Sequence, residues 1–345
     1  MLKETVELTM SHVGLGHLTE YALLVLFANS HSHYLTFNTS VTPDEIADSK
    51  GNFLYPAYFM THLRIPIKRN LNQYKNWEKL NVGVHVEVFG QSMLESEYVL
   101  GKEDESFNSI EEGHSAGLPY MKANSLFIID TRENGNRKIV ISNPDKDCVN
   151  KLNKMTMPPT AMRRANEIRE NGFEIDADLL EMAKIKPLTY RPERGRDGSY
   201  HHTLIFAKFS EIMDWAEKEY LLMNEELSIP QKMLGSLRLL ERETFYYGNI
   251  FPEEELRIQV RGRMKKCAKD FPVESNKYFS VAEMDFDFEI YSRKTNELLV
   301  MSRAKKLISL PLESTELLFD FNRLWKQIVR RQTVSNSTFG VELAN

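Results

Sequence analysis

Only two cysteines, Cys148 and Cys267, occur in 345 residues, far apart and outside any CxxC pair. That scarcity excludes a disulfide framework or a cysteine-based zinc site and fits a reducing compartment. Long apolar runs are missing too: the stretch from Tyr21 to Ala28 falls far short of the roughly 20 residues that cross a bilayer. With no basic leader and small-residue cleavage site, a soluble cytoplasmic protein is expected, without membrane attachment. Neither sign of charge dominates, since 44 basic against 49 acidic residues give a net charge of −5. That balance supplies no bulk attraction for nucleic acid. His12, His17, His201 and His202 lack the HExxH spacing and a carboxylate triad, so no metal is expected. The string "GLGHL" lacks the strand–GxGxxG–helix order of a dinucleotide site.

The chain contains two passes of one plan. Ala22 to Phe27 is apolar at every position, which on a helix means burial on nearly all sides. Strand-like segments follow at Phe53–Ile65, Asn81–Gly90, Glu95–Gly101 and Asn124–Thr131, and Val82, Val84, Val86 and Val88 alternate with Gly83, His85, Glu87 and Phe89. One helix wrapped by a curved antiparallel sheet satisfies both patterns. The order then repeats, with a helix over Thr203–Met223 that carries Phe206, Phe209, Met213, Ala216 and Tyr220 on one face. Strand-like segments follow it at Leu239–Phe251, Glu254–Met264, Val281–Ser292 and Leu298–Ser309. Met284, Phe286, Phe288 and Ile290 face one way and Asp285, Asp287 and Glu289 the other, which predicts a half-buried strand. The repeat is architectural, with little residue identity between the passes. Between them, Asn143–Pro187 carries Pro158, Pro159 and a helical spacing after Thr160, and reads as a linker with a helix. The expected units are residues 1–159, residues 160–331 and a polar tail over 332–345. The class is α+β, and pairing of the halves would cover the open edges each leaves.

Several residues are candidates for chemistry. Gly16 and His17 precede the first helix, and Gly198 to His202, including His201, precede the second. Backbone amides at a helix start lack intrahelical partners and favour negative charge, although a plain turn explains the glycines as well. Asp197 serves as a general base or as a turn cap. Asn124 and Asn249, at a strand start and in a turn, either donate amide hydrogens to a ligand or hold loop backbone. Tyr55 and Tyr58 are three apart and point to opposite faces of an unbroken strand, Tyr55 with Phe59, Leu63 and Ile65, and Tyr58 with Met60, His62 and Arg64. Pro56 between them favours an edge or a bulge. The "HSH" at His31–His33 is expected to end the first helix, where a cationic imidazole suits the dipole.

Five strings, in order, carry a resemblance: "SHVGLGHLTE" from Ser11, "GNFLYPAYFMTHLRIP" from Gly51, "NSLFIIDT" from Asn124, "GRDGSYHHTLIFAKFSEIMDWAE" from Gly195 and "FYYGNIF" from Phe245. With the order of segments, they resemble the double hot-dog fold of acyl-thioester enzymes and, more narrowly, the leinamycin-type bifunctional acyltransferase/decarboxylase family of polyketide biosynthesis. The resemblance implies an enzyme that takes methylmalonyl-coenzyme A, moves the acyl group to the phosphopantetheine of an acyl carrier protein and releases carbon dioxide. It implies no metal or organic cofactor. A tyrosine accepts the acyl group in that family, and Tyr55 matches its position, with Tyr58 as runner-up. Pro56 departs from the family's pattern there. Acyl-CoA and an acyl carrier protein are the implied partners, with a homodimer left open. Decarboxylation requires donors at the thioester oxygen and surroundings that disfavour a charged carboxylate. The rivals are a hot-dog thioesterase or dehydratase with Asp197 or a histidine as base, and a non-catalytic acyl-carrier-binding module.

Overall fold

The computed structural model describes residues 1–14, 17–39, 46–89, 93–129, 153–154, 160–192, 202–224, 237–248, 254–266, 278–311 and 315–339. The chain opens with β1 (Leu2–Glu7), the short hairpin of β2 (Val13–Gly14) and β3 (His17–Leu18), and helix α1 (Glu20–Thr39). Strands β4 (Leu54–Ile65), β5 (Lys79–Phe89) and β6 (Met93–Lys102), the short helix α2 (Ile110–Ser115) and strand β7 (Tyr120–Ile129) complete the first half. A connecting region holds β8 (Asn153–Lys154), α3 (Thr160–Asn171), β9 (Leu180–Glu181) and β10 (Leu188–Tyr190). The second half continues with α4 (His202–Met223), β11 (Leu237–Tyr246), β12 (Leu256–Lys266), β13 (Tyr278–Ser292) and β14 (Leu298–Pro311), and α5 (Thr315–Phe339) follows. Helix α5 continues past Gln332, where the sequence suggested a polar tail.

Among the described residues one 12-stranded sheet runs in the order β1-β5-β6-β7-β4-β11-β14-β13-β12-β10, with β8 on β5 and β9 on β12 off this path. From its middle outward the two halves mirror each other. In each, the strand before the helix pairs with the second strand after it, β1 with β5 and β10 with β12. The first strand after the helix pairs with the last, β4 with β7 and β11 with β14, and all four pairings are antiparallel. The fold is therefore α+β and a double hot-dog. The halves join where Arg242–Phe245 of β11 lies antiparallel to His62–Ile65 of β4.

Period-two alternation decides what each sheet buries. Val82, Val84, Val86 and Val88 line the inner face of the first half, toward Leu23 and Phe27 of α1. In the second, Met284, Phe286, Phe288 and Ile290 pack with Phe209, Met213, Ala216 and Tyr220 of α4, the helix face that the spacing predicted. Each such side chain contributes about 1.5–3 kcal/mol when fully buried. Gly262 on β12 lets the Tyr220 ring lie directly on the sheet, because a Cβ there would stand 2.7 Å from it.

The outer face of β13 differs from the half-buried strand expected, since Glu283 and Asp285 are buried as well. The connecting region crosses over them. β9 pairs with Arg263 and Met264, Asp176 meets Lys265 at 3.2 Å, and Phe173 lies 4.9 Å from the Arg303 guanidinium. Helix α3 does more than link. Ala165 and Ile168 pack on Phe245 and Met301, Arg164 reaches Glu243 at 3.6 Å, and Tyr247 donates to the Ala165 carbonyl at 2.7 Å. It thus braces the join between the halves from outside. Among the described residues no helix is long and apolar enough to cross a membrane.

Candidate functional site

Alternation along β11 places Arg242, Thr244 and Tyr246 on the inner face, opposite Ala304, Ser302 and Val300 of β14. Helices α1 and α4 pack against each other there, so one side chain can touch both. The fully buried Arg242 does so. Its Nε lies 2.8 Å from Oε2 of Glu20 on α1, and one Nη lies 3.4 Å from Glu217 and 3.5 Å from Asp214 on α4. Lys306 of β14 adds a second cation, 3.0 Å from Asp214 and ion-paired with Glu217. A guanidinium sealed between two helices and a sheet is tolerated only with such partners, because an unpaired buried charge costs several kcal/mol.

Three carboxylates, Glu20, Asp214 and Glu217, share these two cations. Burial pushes the Glu20 carboxyl up; Arg242 opposes it and Asp214 adds to it. Burial also raises Glu217. Asp214, whose side chain is half exposed, moves the other way, because Lys306 and Arg242 outweigh the effect of its surroundings. Among the described residues, three buried atoms at this place have no hydrogen-bond partner: Glu20 Oε1, the Tyr246 hydroxyl and Arg242 Nε, which meets Glu20 as an ion pair only. The neighbouring Thr244 hydroxyl bonds with Ser302 at 2.7 Å. Burial, with the Glu20 charge added, raises the Tyr246 phenol far above its ordinary range, so it stays protonated and acts as a donor. Glu20 begins α1, and Thr19 caps that helix by accepting from the Ala22 N–H at 3.1 Å. The arrangement presents a phenol beside Thr244 and a carboxyl oxygen, neither in a well-formed hydrogen bond among the described residues, where the two halves meet.

The residues picked out from sequence lie elsewhere or beyond view. Gly16, Asp197, Gly198, His201 and Asn249 fall outside the described residues. His17 is half-buried in β3, bridged to Lys75, and stands ahead of the Thr19 cap. Asn124 sits in the middle of β7, not at its start, opposite Glu95 on one side and position 59 on the other. Its Oδ1 is buried without a partner. Its parity matches Lys122 and Tyr120, opposite to that of the inner Ala123 and Phe127, so it does not join the charged cluster.

Strand β4 is not unbroken. Its register slips between Met60 and His62, and that bulge at Thr61 inverts the alternation. Position 58, opposite Ser125, falls in phase with the buried Leu63 and Ile65. Position 55, opposite Ile128, falls in phase with His62 and Arg64, the reverse of the expectation for an unbroken strand. Pro56 lies in the part of β4 that extends beyond its pairing with β11, where a missing N–H leaves that ladder unharmed.

The "HSH" segment does not end α1, which continues to Thr39. His31 is fully buried, with Nδ1 2.9 Å from both the Tyr98 hydroxyl and the Ser96 hydroxyl. Burial pushes its pKa down to about 3, so the imidazole is neutral rather than the helix-end cation expected. His33 is exposed and meets Glu4 at 2.8 Å.

Sequence reasoning missed Glu20, Asp214, Glu217, Arg242, Tyr246 and Lys306. A usable signal exists. Arg242 and Lys306 occupy inward positions of otherwise apolar strands, in phase with Tyr246 and Ile308, and Glu217 is four residues from Met213 on the apolar face of α4. A charge at an inward position needs a counter-charge from another element.

The chain matches no protein-family model and no curated protein. Among solved structures it is similar to an acyl-ACP thioesterase from Bacteroides thetaiotaomicron VPI-5482, at 13% identity over 89% of this chain and 97% of that one, with a TM-score of 0.45. It is also similar to the 12:0-ACP thioesterase from Umbellularia californica, at 10% identity over 90% of this chain and 94% of that one, with a TM-score of 0.39.

Proposed function

We propose that this protein is an acyl-thioester enzyme acting where its two hot-dog halves meet. In its finer form, the reading is transfer of an acyl group from a malonyl-type coenzyme A thioester to an acyl carrier protein, with loss of carbon dioxide. The observation that carries it is the buried Tyr246 phenol, with no well-formed hydrogen bond among the described residues, beside an excess of carboxylates over cations. As the carbon–carboxylate bond breaks, negative charge grows on the thioester oxygen, and a fixed phenol donor in a buried site stabilises it. Both cations are already engaged, so a substrate carboxylate meets no free positive charge, a setting that favours its departure as neutral carbon dioxide. The β4 register supports Tyr58 over Tyr55 as the acyl-accepting residue that the family resemblance calls for. A cytoplasmic location and independence of metal or organic cofactor belong to the same reading.

Intact-mass spectrometry tests it, with the purified protein incubated with malonyl- or methylmalonyl-coenzyme A and a pantetheinylated carrier protein. A decarboxylated acyl group on the carrier supports the full reading. Free acid with an unmodified carrier replaces transfer by hydrolysis, and no turnover of any thioester removes the reading. Tyr246→Phe should lower kcat by about 100-fold, the usual consequence of removing one oxyanion donor, with the melting temperature retained. Unchanged kcat would take Tyr246 out of the site.

A further inference from the structure

We propose that Glu20 carries a proton at neutral pH and delivers it to the substrate, which makes it the catalytic acid of this site. The assignment rests on the acyl-thioester reading and deepens it. Within the cluster, the two oxygens of Glu217 are committed to Arg242 and Lys306, and Asp214 is half exposed and held by Lys306. Glu20 differs from both. Oε2 faces the Arg242 guanidinium at 2.8 Å, while Oε1 is buried and has no partner among the described residues. A carboxyl in this setting keeps its carbonyl oxygen toward the arginine and its O–H on Oε1.

The groups bearing on Glu20 are Arg242 of β11, Asp214 and Glu217 of α4 and Lys306 of β14. With three acids against two bases, one proton makes the whole set neutral. The position of Glu20 in the first turn of α1 opposes protonation through the helix dipole. Arg242, the largest of the charge effects, and Lys306 also favour the ionised form, whereas burial, the largest effect of all, and the Asp214 and Glu217 carboxylates oppose it, and the net direction is upward. Asp214 gives the cluster its link to solvent, since its side chain is 51% exposed and contacts both Arg242 and Lys306.

The chemistry balances with one proton. The bond between the α-carbon and the carboxylate breaks, its electron pair passes into the thioester as an enolate, and carbon dioxide leaves. Tyr246 holds the enolate oxygen by a hydrogen bond. The proton on Glu20 Oε1 moves to the α-carbon, which leaves a saturated acyl thioester and a Glu20 carboxylate. A proton from water then restores the acid.

Glu20→Gln keeps the shape and the contact with Arg242 but has no acidic proton. Turnover and its pH profile would be measured beside those of Glu217→Gln. The expected result for Glu20→Gln is a fall in kcat of about 100-fold or more, KM within a few-fold, an unchanged melting temperature and loss of the alkaline limb of the kcat profile. Glu217→Gln should retain that limb. An unchanged kcat or an intact alkaline limb in Glu20→Gln overturns the proposal. Infrared spectra at neutral pH separate this failure from that of the thioester reading. A protonated-carboxyl band present in the unmodified protein and missing in Glu20→Gln upholds the proton on Glu20 even if no thioester turns over; its absence from the unmodified protein overturns it.

Discussion

Between α1 and its sheet, the first half buries His31, Ser96, Tyr98 and Ser125, all neutral; between α4 and its sheet, the second buries Arg242, Glu217 and Lys306, all charged. The neutral set stays within one half, since Ser96 and Tyr98 both meet His31 and all three belong to it. The charged set does not. Its arginine makes its shortest ion pair, 2.8 Å, with Glu20 at the start of the other half's helix. Strand order is shared by the two halves, so the difference comes from side chains alone. It teaches that the halves are coupled electrostatically inside the fold, beyond the His62–Glu243 contact of β4 with β11, and that this place also holds the buried phenol and carboxyl.

The sharpest way to break that comparison is to remove Arg242. Arg242→Met would leave the Glu217 charge buried without one of its two cations and the Glu20 carboxyl without its partner, and should cost about 3–5 kcal/mol, measured by urea unfolding. Adding Glu217→Gln to it should recover most of the loss, because the two charges then disappear together. A loss below about 1 kcal/mol from Arg242→Met, the range of exposed pairs, would mean that water screens the cluster and that the halves are not coupled through it.

A pH series separates the halves more finely. His31 has a folded pKa of about 3 against an ordinary 6.5, so between these values the unfolded chain holds a proton that the folded one lacks. Stability then rises with pH, by about 1.4 kcal/mol per unit for this group. Asp285, on the outer face of the second half, has the opposite sign. Burial raises it from 3.8 to about 6 against Lys305 and Arg303, with Glu283 and Asp287 adding to the rise. In that window the folded chain holds the extra proton, and stability falls as pH rises, at a similar slope. The two groups therefore offset each other between about pH 4 and 6. His31→Gln should expose the falling slope and Asp285→Asn the rising one, a divergence between them of roughly 5–6 kcal/mol across the window. Parallel profiles would show that neither group holds its folded protonation state.

Much of the fold was legible because period-two and helical spacing are local signals. The Val82–Val88 alternation and the Phe209–Tyr220 face fixed two strand-wrapped helices without reference to partners. The site was less so. A bulge at Thr61 adds one residue and inverts the alternation of β4 ahead of Leu63, and no residue type at that position announces it. The charged cluster draws on α1, α4, β11 and β14, and only the folded chain shows that Glu20 meets Arg242. His31 misled in the same way: a histidine before a serine reads as a helix end until Ser96 and Tyr98 are seen to enclose it.

The smallest effect tests whether the neutral set is in fact closed. In the second half, Ser302 and Thr244 share a hydrogen bond of 2.7 Å across β14 and β11, both fully buried. Ser302→Ala strands the Thr244 hydroxyl and should cost about 1–2 kcal/mol, mostly the penalty for a buried group left unpaired. Ser125 on β7 is equally buried, yet its hydroxyl bonds to nothing. Ser125→Ala removes a polar group that is already unpaired, so the folded state should lose nothing and gain up to about 1 kcal/mol. Opposite signs for the two serine-to-alanine changes, read by urea unfolding side by side, would confirm that His31, Ser96 and Tyr98 satisfy one another without Ser125. Equal losses would mean that the Ser125 hydroxyl has a partner in solution, and that the polar core of the first half is as open to exchange as the charged one beside it.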